Sequence, residues 1–163
     1  MEFQSLASFA THLLAVEIAS RKALEKGLDN VAKLVQADAK QRIGEYQDAT
    51  GPFPAWAPLK PDTIADRVSQ GFTPDDPLLR SGDMRESIER EVQGLEAAIG
   101  SKSDIALYQE MGTATIPPRP FLGPAAYANK ENIQKILGEA FVSGLTGQRV
   151  IEQTLGYDFT TSQ

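Results

Sequence analysis

Apolar residues recur at helical spacing from Ser5 to about Ile43: Leu6, Phe9, Leu13 and Val16, then Leu24, Leu28, Val31, Val35 and Ala39. No proline interrupts the run. Glu17/Arg21 and Asp29/Lys33 stand at i,i+4 with the acid first, the favourable order on a helix. The stripe thins around Ser20 to Ala23, and Gly27 lowers helix propensity by about 1 kcal/mol relative to alanine. The pattern predicts either one helix or two collinear helices over 5–43; a continuous helix would be roughly 55–60 Å long at 1.5 Å per residue. A helix that long in so short a chain exposes part of its apolar stripe unless something covers it. A second copy of the protein is the simplest cover.

The texture changes over 44–78. Pro52, Pro54, Pro58, Pro61, Pro74 and Pro77 punctuate this stretch together with Gly51 and Gly71, predicting an extended, proline-rich arm. Asp62 is the expected N-cap of a short helix, Thr63 to Ser69, within it. Trp56 sits in Pro-Ala-Trp-Ala-Pro-Leu, where flanking prolines make a rigid aromatic anchor. It can dock on a neighbour or simply fill its own core.

Compact structure returns over 79–144. Ser81 is expected to cap a short helix through Glu86, and Ile88 to Val92 and Leu95 to Ile99 read as two strands joined around Gln93-Gly94. Leu95, Ala97 and Ile99 alternate with Glu96 and Ala98, giving that strand one core face. Ser101-x-x-Asp104 reads as a capping box before Ile105-Ala-Leu-Tyr108, with Gly112 as the stop. Pro117, Pro118 and Pro120 enforce an extended segment around Arg119, and a last helix runs from near Pro124 to about Ser143, before Gly144. Val150 to Phe159 can add a short element, and Thr160 to Gln163 is a polar end within the 145–163 tail. Helices at both ends with short strands between them predict an α+β fold. In it, a long N-terminal helix and a C-terminal helix pack on a small, mainly antiparallel sheet, all within a single domain, 1–163.

Composition then narrows the chemistry. Of 163 residues, 41% are hydrophobic and 23% charged, so an ordinary core is expected. Sixteen Lys and Arg against 22 Asp and Glu give a net charge of −6, which argues against gripping nucleic acid over the whole surface. There is no cysteine, hence no disulfide, thiol nucleophile or zinc–thiolate site, and the one histidine, His12, rules out any metal site needing two imidazoles. No segment reads as a membrane span or secretion signal, so a soluble protein of the cytoplasm is the expectation.

No glycine-rich nucleotide loop, nucleophile elbow or His-Glu-x-x-His occurs, and Gly100-Ser-Lys-Ser103 lacks the upstream glycine of a phosphate loop. Glu86, Glu89, Glu91, Glu96, Asp104 and Glu110 could supply an acid/base pair, but no spacing singles out two of them. No catalytic, cofactor-binding or metal residue is therefore assigned. One constellation stands out. Glu110 lies in the last turn of a helix, where the dipole favours cations, so it calls for a specific partner. Arg119, held between prolines, can clamp a carboxylate bidentately. The expected structural pair is Glu110–Arg119; two unrelated exposed charges are the alternative.

Five stretches then occur in order: Trp56-Ala-Pro-Leu59 with Thr63-Ile-Ala; Pro77-Leu-Leu-Arg-Ser-Gly82-Asp-Met-Arg-Glu-Ser-Ile88; Ile99-Gly-Ser101; Tyr108-x-Glu110-x-Gly112-Thr113; and Pro118-Arg-Pro-Phe-Leu-Gly123. This succession resembles the tail-completion, or virion morphogenesis, proteins of tailed bacteriophages, including Mu-like phages and related prophages. The resemblance implies a non-enzymatic structural protein of the neck or upper tail, located in the virion and, during assembly, in the host cytoplasm. It implies a homo-oligomeric ring, sixfold to match tail symmetry. Expected partners are the tail tube or terminator and head-connector proteins, with DNA only as passing cargo.

In such a ring Trp56, Pro58 and Leu59 are the expected inter-subunit or partner contacts, since a protruding arm suits a heterologous interface. Acid facing the lumen would repel DNA phosphates. A head-closure or adaptor ring is the nearest alternative; a small carboxylate hydrolase and a DNA-binding packaging factor are alternatives of other classes.

Overall fold

A computed structural model describes residues 4–146. Its elements, in chain order, are α1 (Leu6–Gln41), α2 (Pro61–Ser69), α3 (Asp83–Glu86), β1 (Ile88–Gln93), β2 (Glu96–Ser101), α4 (Asp104–Met111), α5 (Leu122–Ala128) and α6 (Lys130–Thr146). The fold is α+β, with long N- and C-terminal helices and a two-stranded antiparallel sheet. The first helix is continuous: α1 has 36 residues, about 54 Å at 1.5 Å per residue. The chain forms two compact units. One combines α1 up to Val31, the hairpin tip Val92–Glu96 and α6 from Asn132; the other comprises Ala32–Glu91 and Ala97–Glu131.

In the first unit, small residues let two helices approach closely. Ala15 and Ala19 are buried on α1. A Cβ on Gly27 would lie 2.8 Å from the Ala140 Cβ, and one on Gly144 would lie 2.5 Å from the Ser20 Cα. Because 27 faces 140 and 20 faces 144, α6 runs antiparallel to α1. Gly144 is thus a contact residue inside α6, which continues to Thr146, rather than the expected stop after Ser143. The large apolar residues of the first turns, Leu6 and Leu13 among them, stay exposed.

In the second unit the remainder of α1 contributes Ala32, Val35, Ala39 and Ile43 to a core completed by Trp56, Met84, Ile88, Phe121 and Ala125. The Gln36 side-chain amide donates to the Ile88 carbonyl (2.8 Å) and accepts from the Arg90 guanidinium (2.7 Å), fastening β1 to the helix. The hairpin turns at Gly94-Leu95, one residue later than expected, because Gly94 takes the left-handed conformation (φ 59°) that the turn needs. Leu95 is therefore exposed in the turn, while Ala97 and Ile99 keep the expected half-buried alternation on β2.

Several local expectations shift for identifiable reasons. The arm over 44–78 folds onto its own unit. Gly44 N–H donates to the Pro77 carbonyl (2.9 Å), and the buried Arg67 guanidinium donates to the carbonyls of Thr73 (2.8 Å) and Leu79. Leu78, between these ties, is held at φ 63°, a strained value for a γ-branched residue. The α2 helix begins at Pro61, the favoured first position, with Lys60 rather than Asp62 at the cap. Gly82, at φ 93°, caps α3, though the Ser81 hydroxyl still accepts from Asp83 N–H (3.4 Å). The capping box does not form: Ser103 is the N-cap of α4, while the Ser101 hydroxyl accepts from Ser103 N–H (3.0 Å) and pairs with Ser87 (2.7 Å). The final helix is two helices, broken at Asn129, whose side-chain amide donates to Asp38 Oδ2 (2.6 Å) and the Ala125 carbonyl (2.9 Å). The expected element at Val150 to Phe159 and the polar end lie outside the described residues.

Candidate functional site

The second unit brings the conspicuous sequence motifs into one framework. Gly112 ends α4 at φ 73°, a left-handed value suited to glycine, and a Cβ there would come within 2.9 Å of the Pro118 nitrogen. The chain thus reverses tightly, and Arg119 N–H donates to the Gln109 carbonyl (2.7 Å). This reversal places the start of α5 beneath the Glu110 carboxylate. Oε2 accepts from Phe121 N–H (2.7 Å) and Leu122 N–H (3.0 Å), and Oε1 from Gly123 N–H (2.9 Å). Amides at a helix N-terminus have no intrahelical partner, and α5 has no cap from its own Phe121 side chain. Glu110 is therefore the cap of α5, supplied from another helix.

The expected Glu110–Arg119 pair does not exist. Arg119, only 6% exposed, points elsewhere: Nε and Nη2 donate to the Ala57 carbonyl (3.1 and 3.0 Å) and Nη2 also to the Pro58 carbonyl (3.3 Å). Burial pulls its pKa below the ordinary arginine range, with proximity to Tyr46 acting in the opposite sense. Both partners are backbone, which is why side-chain reasoning paired the two residues with each other. The need for a partner at each was legible; the partner's identity was not.

Trp56 is also placed differently from the expected contact. Its indole is buried in its own chain, and Nε1 donates to the Pro120 carbonyl (3.0 Å). Of the three residues expected to touch a neighbour, Pro58 is exposed and Leu59 half-buried, so these two alone offer surface. Tyr46 pins this stretch: its hydroxyl accepts from Leu59 N–H (3.0 Å) and donates to Asp75 Oδ1 (2.5 Å). Its pKa is raised from the ordinary value of 10.0, by burial first and the Asp75 hydrogen bond second. Gly123 completes the packing, since a Cβ there would press into the Phe53 ring at 2.6 Å. Phe53 in turn meets Tyr127 edge-on at 6.4 Å between centroids.

This framework holds α4 rigidly by its inner side while its outer side stays bare. Ala106 is the buried position; Ile105, Leu107, Tyr108 and Met111 are all exposed, Met111 by 72%. Sequence reading took this helix as an ordinary capped segment and missed the outward face, although alternation of Ala106 with larger apolar neighbours carried the signal. No acid/base pair takes shape here, because the Glu110 oxygens are engaged by three amides. An open groove of about 630 Å³ between α1 and the hairpin tip is lined by Glu17, Arg21, Leu24, Gln93, Gly94, Leu95 and Glu96. Among the described residues, no group of three or more His, Cys, Asp or Glu could hold a metal ion, and no helix is long and apolar enough to cross a membrane.

The model of the phage virion morphogenesis family matches residues 1–142, and the chain belongs to that family. It is accordingly a non-enzymatic structural protein of phage morphogenesis that works with other phage structural proteins in the virion tail. No curated protein and no solved structure matches the chain significantly.

Proposed function

We propose that this virion morphogenesis protein is a ring subunit of the neck or upper tail, completing the tail and contributing to head–tail joining. The observation that carries the reading is the outward face of α4. Four exposed apolar side chains on one short helix, anchored from behind through Glu110, Gly112 and Gln109, form a surface ready for a partner that arrives later. A heterologous ring, sixfold in this reading, repeats one such patch against a different patch on the next copy. Pro58 and Leu59 add a second contact, while Trp56 supports it from inside. The ring's other neighbours are the tail tube or terminator below and head-connector proteins above. The genome passes through without specific binding, in keeping with a net charge of −6. In this role residues 1–163 act as a single domain.

The test is a phage carrying Leu107→Asp or Met111→Asp. Both positions are exposed, so the isolated protein should keep its fold, with a melting temperature within a few degrees of the parent. Lysates should accumulate filled heads and separate tails lacking the protein. Normal yields of joined particles from both variants would reject the α4 contact, and a virion map placing the protein away from the neck would reject the level.

A further inference from the structure

A subunit of the ring proposed above, on which this inference rests, needs two unlike patches, one to insert and one to receive. We infer that the outward face of α4 seats in the groove between α1 and the hairpin tip of a second copy of this chain. Along α4, Asp104, Leu107, Tyr108 and Met111 stand at i, i+3, i+4 and i+7, the anchor spacing of a helix that lies in a groove. On the α1 wall of the groove, Glu17, Arg21 and Leu24 stand at i, i+4 and i+7 and share one helix face. Each stripe therefore runs about 10.5 Å at 1.5 Å per residue, so the two match in length. The groove is open and holds about 630 Å³, room for side chains to enter rather than only touch.

The order of residues matches too, and it fixes a direction. Each stripe is charged at its N-terminal end and apolar at its C-terminal end. Laid parallel, Leu107 and Met111 meet Leu24 and the 53%-exposed Leu95 of the hairpin turn, while Asp104 meets Arg21. Lys102, exposed just before the helix, then meets the acidic rim of Glu17 and Glu96. Laid antiparallel, Asp104 would lie against Leu24 and the apolar end of α4 against Glu17 and Arg21, covering charges without partners. Arg21 is placed for this role. Its Nε meets Glu25 at 3.4 Å, while Nη2 lies 3.9 Å from the position a Cβ would take on Gly94, so the guanidinium reaches from α1 toward the turn. Both halves of the contact belong to one chain, so every copy that presents α4 also presents the groove, and a ring repeats the contact with no third component. The rim charges set direction and register more than affinity.

Because the chain contains no cysteine, introduced pairs are unambiguous. Leu24→Cys or Leu95→Cys is combined with Leu107→Cys or Met111→Cys in one chain, and phage particles carrying each combination are purified. Mild oxidation of the particles should give, for at least one combination, a ladder of disulfide-linked oligomers of this protein on non-reducing gels. The ladder should vanish in the single-cysteine variants. In parallel, Arg21→Glu and Asp104→Lys should each cut the yield of joined particles by about tenfold, because like charges then face each other across the contact. The double variant should restore the yield to within about threefold of the parent. All of these charge variants should melt within a few degrees of the parent, since both positions are exposed. Absence of a ladder from particles that hold the protein, or a double variant no better than its singles, would overturn the inference. The α4 contact itself would still stand if Met111→Asp blocks joining. Disulfide links from Leu107→Cys or Met111→Cys to a different virion protein would overturn the inference as well. Normal joining with Met111→Asp would instead reject the α4 contact, and the inference with it.

Discussion

Glu110 accepts from three backbone amides at the start of α5, those of Phe121, Leu122 and Gly123. A carboxylate in the last turn of α4 faces the wrong end of its own helix dipole, yet it caps the right end of another. Three charge-assisted hydrogen bonds to orphan amides outweigh the unfavourable position, since each such bond contributes more than a neutral one. Glu110→Ala should therefore destabilise the protein by about 2–3 kcal/mol in urea titrations, and Glu110→Gln, which keeps one acceptor oxygen, by about half as much. Trp56, the single tryptophan, offers a direct optical check of its placement. Its emission should be blue-shifted and resist iodide quenching, and Trp56→Phe should cost about 1–2 kcal/mol through the lost hydrogen bond to Pro120 and the volume removed. Tyr46 adds a pH dependence. Its folded pKa lies above the ordinary value of 10.0, so its contribution is complete below that pH and is lost as pH rises through the folded value. Tyr46→Phe should accordingly flatten the alkaline limb of the stability curve above pH 10, read by fluorescence during urea titrations at stepped pH. The effect will be small, since the side chain is 40% exposed.

Among the elements, legibility followed the range of the interactions that define them. The α1 helix was readable because periodicity is local and proline is absent over 5–43, and the hairpin because Gly94 marks its turn. The break at Asn129 was not readable. An asparagine between Ala128 and Lys130 looks like any polar helical position until Asp38, 91 residues away, takes its amide. The capping box failed for a similar reason: Ser101 is drawn to Ser87 across the sheet, a competitor that local spacing does not contain. Of the apolar stripe expected on α1, Val31 is buried in the first unit, but the other α1 positions buried there are Ala15, Ala19 and Gly27, because close helix contact selects small side chains. The α1–α6 contact yields its own prediction. Gly144→Ala raises helix propensity by about 1 kcal/mol, but its Cβ would meet the Ser20 backbone at 2.5 Å. The steric term should win, lowering stability by about 1–3 kcal/mol and speeding amide exchange in residues 15–27.

For the whole molecule, size and charge set how assembly can proceed. The α4 face consists of four exposed apolar side chains, Ile105, Leu107, Tyr108 and Met111, a small patch beside the ~800 Å² per partner typical of a stable complex. A face that small holds a neighbour only when several contacts are made together, as on a preformed tail end, where tethering multiplies weak affinities. A net charge of −6 on every copy adds mutual repulsion that a template must overcome. The purified protein should therefore sediment as a monomer at 10 µM or so, and raising salt should favour association by screening that repulsion. Met111→Asp should leave this solution behaviour unchanged while removing the protein from particles, because the face is used only on the template. A stable ring in free solution, insensitive to Met111→Asp, would instead mean that a larger interface elsewhere on the chain drives assembly.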